Sequence, residues 1–148
     1  MKRIAVINGP NLNILGKREV EIYGTEDLNS IENKVRKLCE KFDINVLCFR
    51  SNHEGEIVDF IQQHMFKLDG ILINPAAFTK TGYSILDALN AKPIPFIEIH
   101  LSNIMARSGW HSESIFSSYS KGIIVGFNGY GYELGVYAIN NYLEKIKN

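Results

Sequence analysis

Short apolar runs alternate with longer amphipathic stretches along the chain, and this alternation predicts its secondary structure. The apolar runs predict β-strands at Arg3–Asn8, Ile44–Arg50, Gly70–Asn74, Pro95–His100 and Gly122–Phe127. The stretches between them place apolar residues at helical spacing and predict helices at Asp27–Phe42, Glu54–Lys67, Gly82–Leu89 and Tyr130–Ile146. Asp27 is a suitable N-cap for the first helix. Strands that alternate with helices indicate a parallel sheet covered on both faces.

The predicted strands are apolar throughout, which is typical of parallel strands buried on both sides. Right-handed crossovers then favour an α/β fold, a flavodoxin-like doubly wound five-stranded parallel sheet with helices on both faces. The chain has 148 residues, 45% of them apolar, and contains no repeat or linker. We therefore expect one domain that spans residues 1–148.

Charge and cysteine content narrow the classes of partner and compartment. Sixteen cationic residues balance sixteen anionic ones, so nothing points to nucleic acid or to a membrane surface. Cys39 and Cys48 have no metal-type spacing and indicate reduced thiols in a cytoplasmic protein. The apolar stretch that follows Lys2 and Arg3 is too short for a signal peptide, and no segment is long enough to span a membrane.

The segment after the first strand has the composition of an active-site loop. Residues 8–24 contain Gly9, Pro10 and Gly16, which break helices, and are rich in amides and cations. Long irregular loops in compact domains are usually functional. The carboxyl end of the first strand also borders the ligand crevice of an open α/β sheet. We therefore expect the segment to contact a ligand.

Polar residues follow all five predicted strands, at the sheet edge that those strand ends share. Any one of these groups alone is explained as a helix cap or a turn, but five together, two of them with a histidine, favour a small polar ligand. The groups are Asn8 and Asn11, Ser51–Glu54, Asn74–Ala77, Glu98–Asn103 and Asn128–Gly131.

Several familiar site motifs are missing or misplaced. The spacing of Gly9 and Gly16-Lys17 does not match a phosphate-binding P-loop, and the glycines at 126–131 do not form a dinucleotide fingerprint. The chain has no Gly-x-Ser-x-Gly nucleophile motif. Acidic and imidazole side chains at residues 98, 100, 111 and 113 lack the helical spacing that zinc enzymes favour. These observations argue against a P-loop, a dinucleotide site, a serine hydrolase and a zinc site.

Among the site chemistries considered, proton transfer by acidic and basic side chains is the one that the sequence favours. Glu98 and His100 are two residues apart on a strand and project to the same face, where the carboxylate can orient the imidazole as a general acid. Tyr23 is a candidate base, provided that the guanidinium groups of Arg18 and Arg107 lower the pKa of its phenol from about 10. The alternatives are a core histidine at position 100 and a hydrophobic loop anchor at position 23.

With these residues assembled, the chain resembles the type II 3-dehydroquinate dehydratases nearly from end to end. Several motifs in the family order carry the resemblance. They are Ile7–Asn13, Gly16–Glu19, Ile22–Gly24, Ser51–Glu56, Ile73–Pro75, Ile97–Asn103 with Arg107, and Gly126–Tyr132.

The resemblance implies an activity and a set of roles. The family eliminates water from 3-dehydroquinate to give 3-dehydroshikimate, a step in aromatic amino acid biosynthesis, and uses no metal or cofactor. On matching positions Tyr23 would be the base, Arg18 would stabilise its phenolate, and Asn11 would hold a water at the enolate oxygen. His100, oriented by Glu98, would protonate the leaving hydroxyl. The implied substrate contacts are Asn74, Leu101, Ser102, Lys80, His111 and Arg107.

The resemblance also implies a homododecamer built from trimers, in which Asp87 of one subunit approaches the site of a neighbour. Four positions depart from the family pattern: Lys80 replaces a histidine, Gly82 a serine, Leu86 an arginine and His111 an arginine. These departures leave two alternatives open. One is a related dehydratase that acts on a different cyclic hydroxy acid, and the other is a non-catalytic small-ligand-binding domain of flavodoxin-like fold.

Overall fold

The computed structural model describes residues 1–17, 21, 25–107 and 109–147, without the side chains of Trp110 and His111. Five parallel strands form one sheet, in the spatial order β2-β1-β3-β4-β5. They are β1 (Lys2–Asn8), β2 (Ile44–Arg50), β3 (Gly70–Asn74), β4 (Phe96–His100) and β5 (Gly122–Val125). This is the flavodoxin-like order, so the predicted fold class is confirmed.

The strand boundaries differ from the prediction by one or two residues, for local reasons. Pro95 lies just outside β4, and proline has no N–H to donate to a sheet ladder. Strand β5 ends at Val125 because Gly126 takes a left-handed conformation, with φ of 93°. Such a backbone angle turns the chain out of the sheet.

Of the five α-helices that the described residues form with defined bounds, four were predicted. They are α1 (Leu28–Lys41), α2 (Glu54–His64), α4 (Tyr83–Ala91) and α5 (Tyr130–Lys147). Asp27 caps α1 as predicted, since its side chain accepts a hydrogen bond of 2.8 Å from the Ser30 backbone N–H. The single turn α3 (Phe78–Thr81) was not predicted, because one turn is too short to display a period.

Helices cover both faces of the sheet and create two apolar cores. On the first face, which we call the α1/α5 face, Ile4, Val6 and Leu72 pack against residues of α1 and α5. On the second, the α2/α4 face, the intervening strand residues Ile7 and Ile73 pack against α2 and α4. Side chains alternate between the two faces along a strand, so the face of every other strand residue follows from these.

Both cysteines are free thiols, Cys39 buried and Cys48 half-buried. Burial raises the pKa of the Cys39 thiol to about 12 and that of Cys48 to about 11, so both are protonated at neutral pH. In the part of the chain that the structure describes, no helix is both long and apolar enough to cross a membrane.

Candidate active site

A cavity of about 220 Å³ opens at the carboxyl ends of β1, β3 and β4. This edge is where ligands bind in open α/β sheets. The structure brings together here seven of the residues that the sequence singled out: Asn11, Asn74, Lys80, His100, Leu101, Ser102 and Arg107. Leu12 and Leu15 add an apolar wall from the segment after β1, so this segment borders the cavity.

The other five predicted site residues fall into two groups. Glu98 does not line the cavity but lies behind His100, and Asp87 is exposed on α4, away from the cavity of its own chain. Arg18 and Tyr23 lie outside the described residues. His111 belongs to the short 3-10 turn Gly109–Ser112, and its side chain is likewise outside what the structure describes.

Glu98 and His100 form a buried pair on β4. Both project to the α2/α4 face, and His100 Nε2 lies 2.5 Å from Glu98 Oε2. Glu98 is completely buried, whereas His100 reaches the cavity wall. Thr79 Oγ1 lies 3.3 Å from Glu98 Oε2 and 3.3 Å from His100 Nε2, which closes a triangle of polar atoms. The predicted same-face arrangement of the pair is therefore confirmed.

Two serines that sequence reasoning missed contact the same carboxylate. Ser114 Oγ lies 2.8 Å from Glu98 Oε1 and 2.9 Å from Oε2, and Ser117 Oγ lies 2.8 Å from Oε1. In the sequence they belong to a serine-rich stretch between two predicted strands, which looks like an ordinary loop. The sequence hinted at a shared role only by their spacing of three residues around Phe116, which the structure shows to be buried.

These contacts determine the charge of Glu98. Burial alone would raise the pKa of this carboxyl group. The hydrogen bond and the attraction of His100 oppose that effect, and the Ser114 and Ser117 hydroxyls add to the opposition. The net result is a pKa of Glu98 below its ordinary value, so the group is a carboxylate at neutral pH.

Lys80 lies on the cavity wall and pairs with an acidic residue. Its Nζ is 2.9 Å from Glu113 Oε2, at a point where the Glu113 side chain is 70% exposed. The carbonyl of Thr79, the residue before Lys80, accepts a hydrogen bond of 2.8 Å from the Ile115 backbone N–H. These two contacts join the segment that carries the serines to α3.

Two of the other departures from the family pattern concern packing. Leu86 is buried in the apolar core of the α2/α4 face. Gly82 lies at a tight junction between α3 and α4, where an added Cβ would meet the Phe78 carbonyl oxygen at 2.9 Å. Neither residue lines the cavity. Among the departures whose side chains the structure describes, Lys80 is the one on the cavity wall.

A second polar network lies on the α1/α5 face of the same sheet edge. The buried Tyr132 hydroxyl donates to Asn8 Oδ1 at 2.5 Å and accepts from Asn74 Nδ2 at 2.9 Å. Asn74 Oδ1 in turn accepts from the Ala76 backbone N–H at 3.1 Å. Burial raises the pKa of Tyr132, so this phenol stays protonated and acts as a fixed bridge.

Strained backbone surrounds the cavity. Asn11 and Ala76 both line it and adopt left-handed conformations, with φ of 69° and 51°. Asparagine tolerates this region well, but alanine does so at a cost. Gly9 permits a close approach of the β1 and β3 ends, since an added Cβ would lie 2.4 Å from the Pro75 carbonyl oxygen.

Among the described residues, no group of three or more histidine, cysteine, aspartate or glutamate side chains converges as metal ligands would. The arrangement that does converge is an acid–base pair beside amides and cations. It can deliver a proton to a ligand atom in the cavity and hold an anionic or hydroxylated molecule.

Comparison with known proteins gives a consistent result. The family model described as Dehydroquinase class II matches residues 2–140. A 3-dehydroquinate dehydratase of Prochlorococcus marinus (strain MIT 9515) is 51% identical over 144 residues, which cover 97% of this chain and 99% of the relative. A catabolic 3-dehydroquinase of Penicillium rubens is 47% identical over 147 residues, which cover 99% of this chain and 95% of the relative.

A solved structure agrees with the sequence relatives. The type II dehydroquinase from Butyrivibrio crossotus DSM 2876 superimposes with a TM-score of 0.90 at 42% sequence identity. The superposition covers 94% of this chain and 97% of that one. Fold and sequence therefore point to one family.

Proposed function

The chain belongs to the class II dehydroquinase family, and from this premise we propose that it removes water from 3-dehydroquinate with Glu98 and His100 as the acid. The reaction makes it a hydro-lyase that forms 3-dehydroshikimate. The observation that carries the assignment of the acid is the 2.5 Å contact between Glu98 Oε2 and His100 Nε2 at the cavity wall. A histidine held by a carboxylate is well suited to donate a proton to a leaving oxygen.

The acid step follows from the proton positions. A carboxylate at Glu98 only accepts hydrogen bonds, so His100 Nε2 carries a proton. The second ring nitrogen, Nδ1, is then the one that exchanges a proton with the ligand. In the imidazolium form, His100 transfers the Nδ1 proton to the C1 hydroxyl as the C–O bond breaks, and water leaves. The imidazole that remains still donates from Nε2 to Glu98.

The base step is assigned to Tyr23, and Arg18 is assigned the role of stabilising its phenolate. Both follow closely on Leu12 and Leu15, which line the cavity, and this continuity supports the assignment. Removal of the C2 proton generates an enolate at the C3 oxygen, where a fixed donor lowers the barrier. Asn11 supplies that donor through a bound water, and its backbone N–H is itself fixed by a 2.9 Å hydrogen bond to Asn52 Oδ1.

The remaining cavity residues bind the carboxylate and hydroxyl groups of the substrate. Asn74 and Ser102, with the backbone of Leu101, offer neutral donors and acceptors on one side. Lys80 and Arg107 add positive charge, which favours an anionic substrate. His111 completes the set of hydroxyl contacts. Lys80 and His111 adjust the affinity for substrate, because neither takes part in the proton transfers.

Assembly and compartment belong to the same proposal. We assign a homododecamer of trimers, in which Asp87 projects into the site of a neighbouring subunit. Its exposed position on α4, away from its own cavity, supports that role. The two free thiols support a cytoplasmic location, where cysteines stay reduced. Sedimentation velocity of wild type and Asp87→Ala tests the assembly, and activity of a monomer would contradict the shared site.

The activity is tested with purified protein, 3-dehydroquinate and no added metal or cofactor. Ultraviolet absorbance of the conjugated enone product should rise steadily with wild type and stay flat with Tyr23→Phe. Binding of substrate to Tyr23→Phe, measured by calorimetry, should change little, since only the ionisable oxygen is lost. A wild-type trace that stays flat, from protein shown to be folded and assembled, overturns the proposal.

His100→Ala separates the two halves of the reaction. Dehydration should stop, while exchange of the C2 proton with deuterated solvent continues because Tyr23 is intact. Loss of both processes in this variant, with the fold preserved, would contradict the assignment of His100 to the acid step alone.

A further inference from the structure

We infer that Ser114 and Ser117 are positioning residues, which fix Glu98 as a carboxylate and thereby fix the proton on Nε2 of His100. The inference rests on the proposed function, because it assigns the groups that prepare the acid of that reaction. Neither serine is on the cavity wall, so both act through Glu98 and not on the substrate. Three independent observations support this role.

The first observation is the direction of the Ser114 proton. Ser114 Oγ accepts hydrogen bonds from the backbone N–H groups of Phe116 and Ser117, both at 3.1 Å. Its lone pairs are thus occupied, and a hydroxyl has only one proton to donate. That proton points to Glu98, whose two oxygens lie 2.8 and 2.9 Å away. The local turn therefore orients the hydroxyl as a donor.

The second observation is that Glu98 is surrounded by donors. Oε1 faces the hydroxyls of Ser114 and Ser117, and Oε2 faces Ser114, Thr79 and His100. A protonated carboxyl group would have to donate toward atoms that are already aimed at it as donors. A carboxylate accepts all of these bonds, and the lowered pKa of Glu98 agrees with that state.

The third observation is the anchoring of the segment that carries the serines. Phe116 is fully buried and packs edge-on against Phe96 of β4, with ring centroids 6.5 Å apart. The Ile115 N–H bond to the Thr79 carbonyl fixes the residue between Ser114 and Phe116. The serine hydroxyls are therefore held in place by backbone and packing contacts that do not involve the substrate.

The serines determine where the protons of the Glu98–His100 pair lie. With both serines present, the acid form of the pair is a carboxylate and an imidazolium, which carries protons on Nε2 and Nδ1, and Nδ1 donates the catalytic proton. Without them the carboxylate loses two donors in a buried site, and the Nε2 proton moves to the carboxyl group. The neutral imidazole then accepts at Nε2 and keeps its Nδ1 proton, so no proton is gained or lost in this shift.

The kinetic test compares Ser114→Ala, Ser117→Ala and the double variant with wild type. We expect kcat to fall about 10-fold in each single variant and on the order of 100-fold in the double variant, within the range of a general acid's contribution. KM should change less than about twofold. Ser117→Ala removes only the contact to Glu98, whereas Ser114→Ala also removes the turn contacts. Of the three variants, Ser117→Ala is therefore the one least expected to disturb folding.

Two matched variants serve as controls. Ser118→Ala changes an exposed serine of the same short turn and should leave kcat unchanged. Ser117→Thr retains the hydroxyl and should restore most of the kcat that Ser117→Ala loses. Equal kcat values for Ser117→Ala and wild type, within about twofold, would overturn the role of Ser117.

The decisive readout is the imidazole ¹⁵N NMR spectrum, which needs no turnover. His100 resonances are assigned by their loss in His100→Ala. In wild type, Nε2 should show the shift of a protonated nitrogen, and in the double variant that of an unprotonated one. If Nε2 stays protonated in the double variant, the inference is wrong. Since this result is independent of 3-dehydroquinate, it distinguishes failure of the inference from failure of the proposed function.

Discussion

Two buried glutamates on opposite faces of one sheet differ in their charge behaviour. Glu98 on the α2/α4 face is completely buried, and Glu32 of α1, on the α1/α5 face, is 6% exposed. The pKa of Glu98 lies below its ordinary value, while that of Glu32 lies above it. Similar burial therefore accompanies opposite shifts.

The difference lies in the donors that face each carboxylate. Burial raises the pKa of Glu32, and the guanidinium groups of Arg36 and Arg50 with the Asn8 side chain offset this only in part. Around Glu98, by contrast, three hydroxyls and an imidazole are aimed at the two oxygens. Burial alone disfavours a charge, and oriented donors can reverse its effect. The face that carries the proposed chemistry is the face with those donors.

The comparison is tested most severely by Glu98→Gln. The amide keeps the shape but presents two N–H donors to a site full of donors, so His100 loses its orienting acceptor. We expect kcat to fall about 10²- to 10³-fold, on the scale of a general acid's contribution. Steady-state kinetics measures it. Glu32→Gln, the same change on the opposite face, is the matched control and should leave kcat within about twofold of wild type.

Tyr132→Phe tests the polar network on the other face. Removal of the hydroxyl leaves Asn8 Oδ1 and Asn74 Nδ2 without their shared partner in a buried site. We expect the free energy of unfolding to fall by about 1–3 kcal/mol, since unsatisfied buried groups cost that much. Urea denaturation measures it. A loss of kcat as large as that of Glu98→Gln, with unchanged stability, would erase the distinction between the two faces.

Glu32→Gln and Glu98→Gln should change the pH dependence of stability in opposite directions. A raised native pKa makes Glu32 a destabilising charge that develops as pH rises above 4.5, so Glu32→Gln should gain stability relative to wild type over that range.

A lowered native pKa makes ionised Glu98 stabilising above 4.5, and this contribution is lost as pH falls through its native pKa. Glu98→Gln should therefore lose stability relative to wild type as pH rises through the same window. Urea denaturation from about pH 3 to about pH 7 measures both differences. Parallel curves for the two variants would show that the donors around Glu98 do not set its charge.

Glu113→Gln is expected to have the smallest effect. Glu113 is largely exposed, and pairs of this kind contribute about 0.2–1 kcal/mol. Removal of its charge leaves Lys80 less neutralised beside the cavity, so KM for the anionic substrate should fall about twofold at low salt. The effect should disappear at high ionic strength, where exposed charges are screened. A fall in kcat would instead link Glu113 to the acid pair.

Sequence patterns predicted the sheet, four of the helices and the same-face pairing of Glu98 and His100. They did so because strand and helix periods are local properties, and alternation along β4 is a consequence of strand geometry. Ser114 and Ser117 were missed because their contacts with Glu98 span 16 and 19 residues through an irregular segment. The bridge from Tyr132 to Asn8 and Asn74 was missed for the same reason, since no local pattern encodes it.

Ala76 shows what the sequence could not predict about the cavity wall. The structure places Ala76 at φ of 51°. Glycine adopts this conformation freely, whereas alanine does not. Ala76 is thus a local source of strain on the cavity wall, and the sequence alone offered no dihedral angle from which to see it.

The Tyr132 bridge also has a consequence for the order of folding. Its hydroxyl joins residues that are 124 and 58 positions away in the chain, so it forms only after α5 has docked on the sheet. Such long-range contacts come late, because loop closure costs entropy before the contact stabilises anything. Pairing of β1 with β2 closes a shorter loop and can come earlier, whereas the Tyr132 hydroxyl reaches Asn8 and Asn74 only once the final helix is in place. The polar network beside the cavity is therefore complete only after α5 has packed on the sheet.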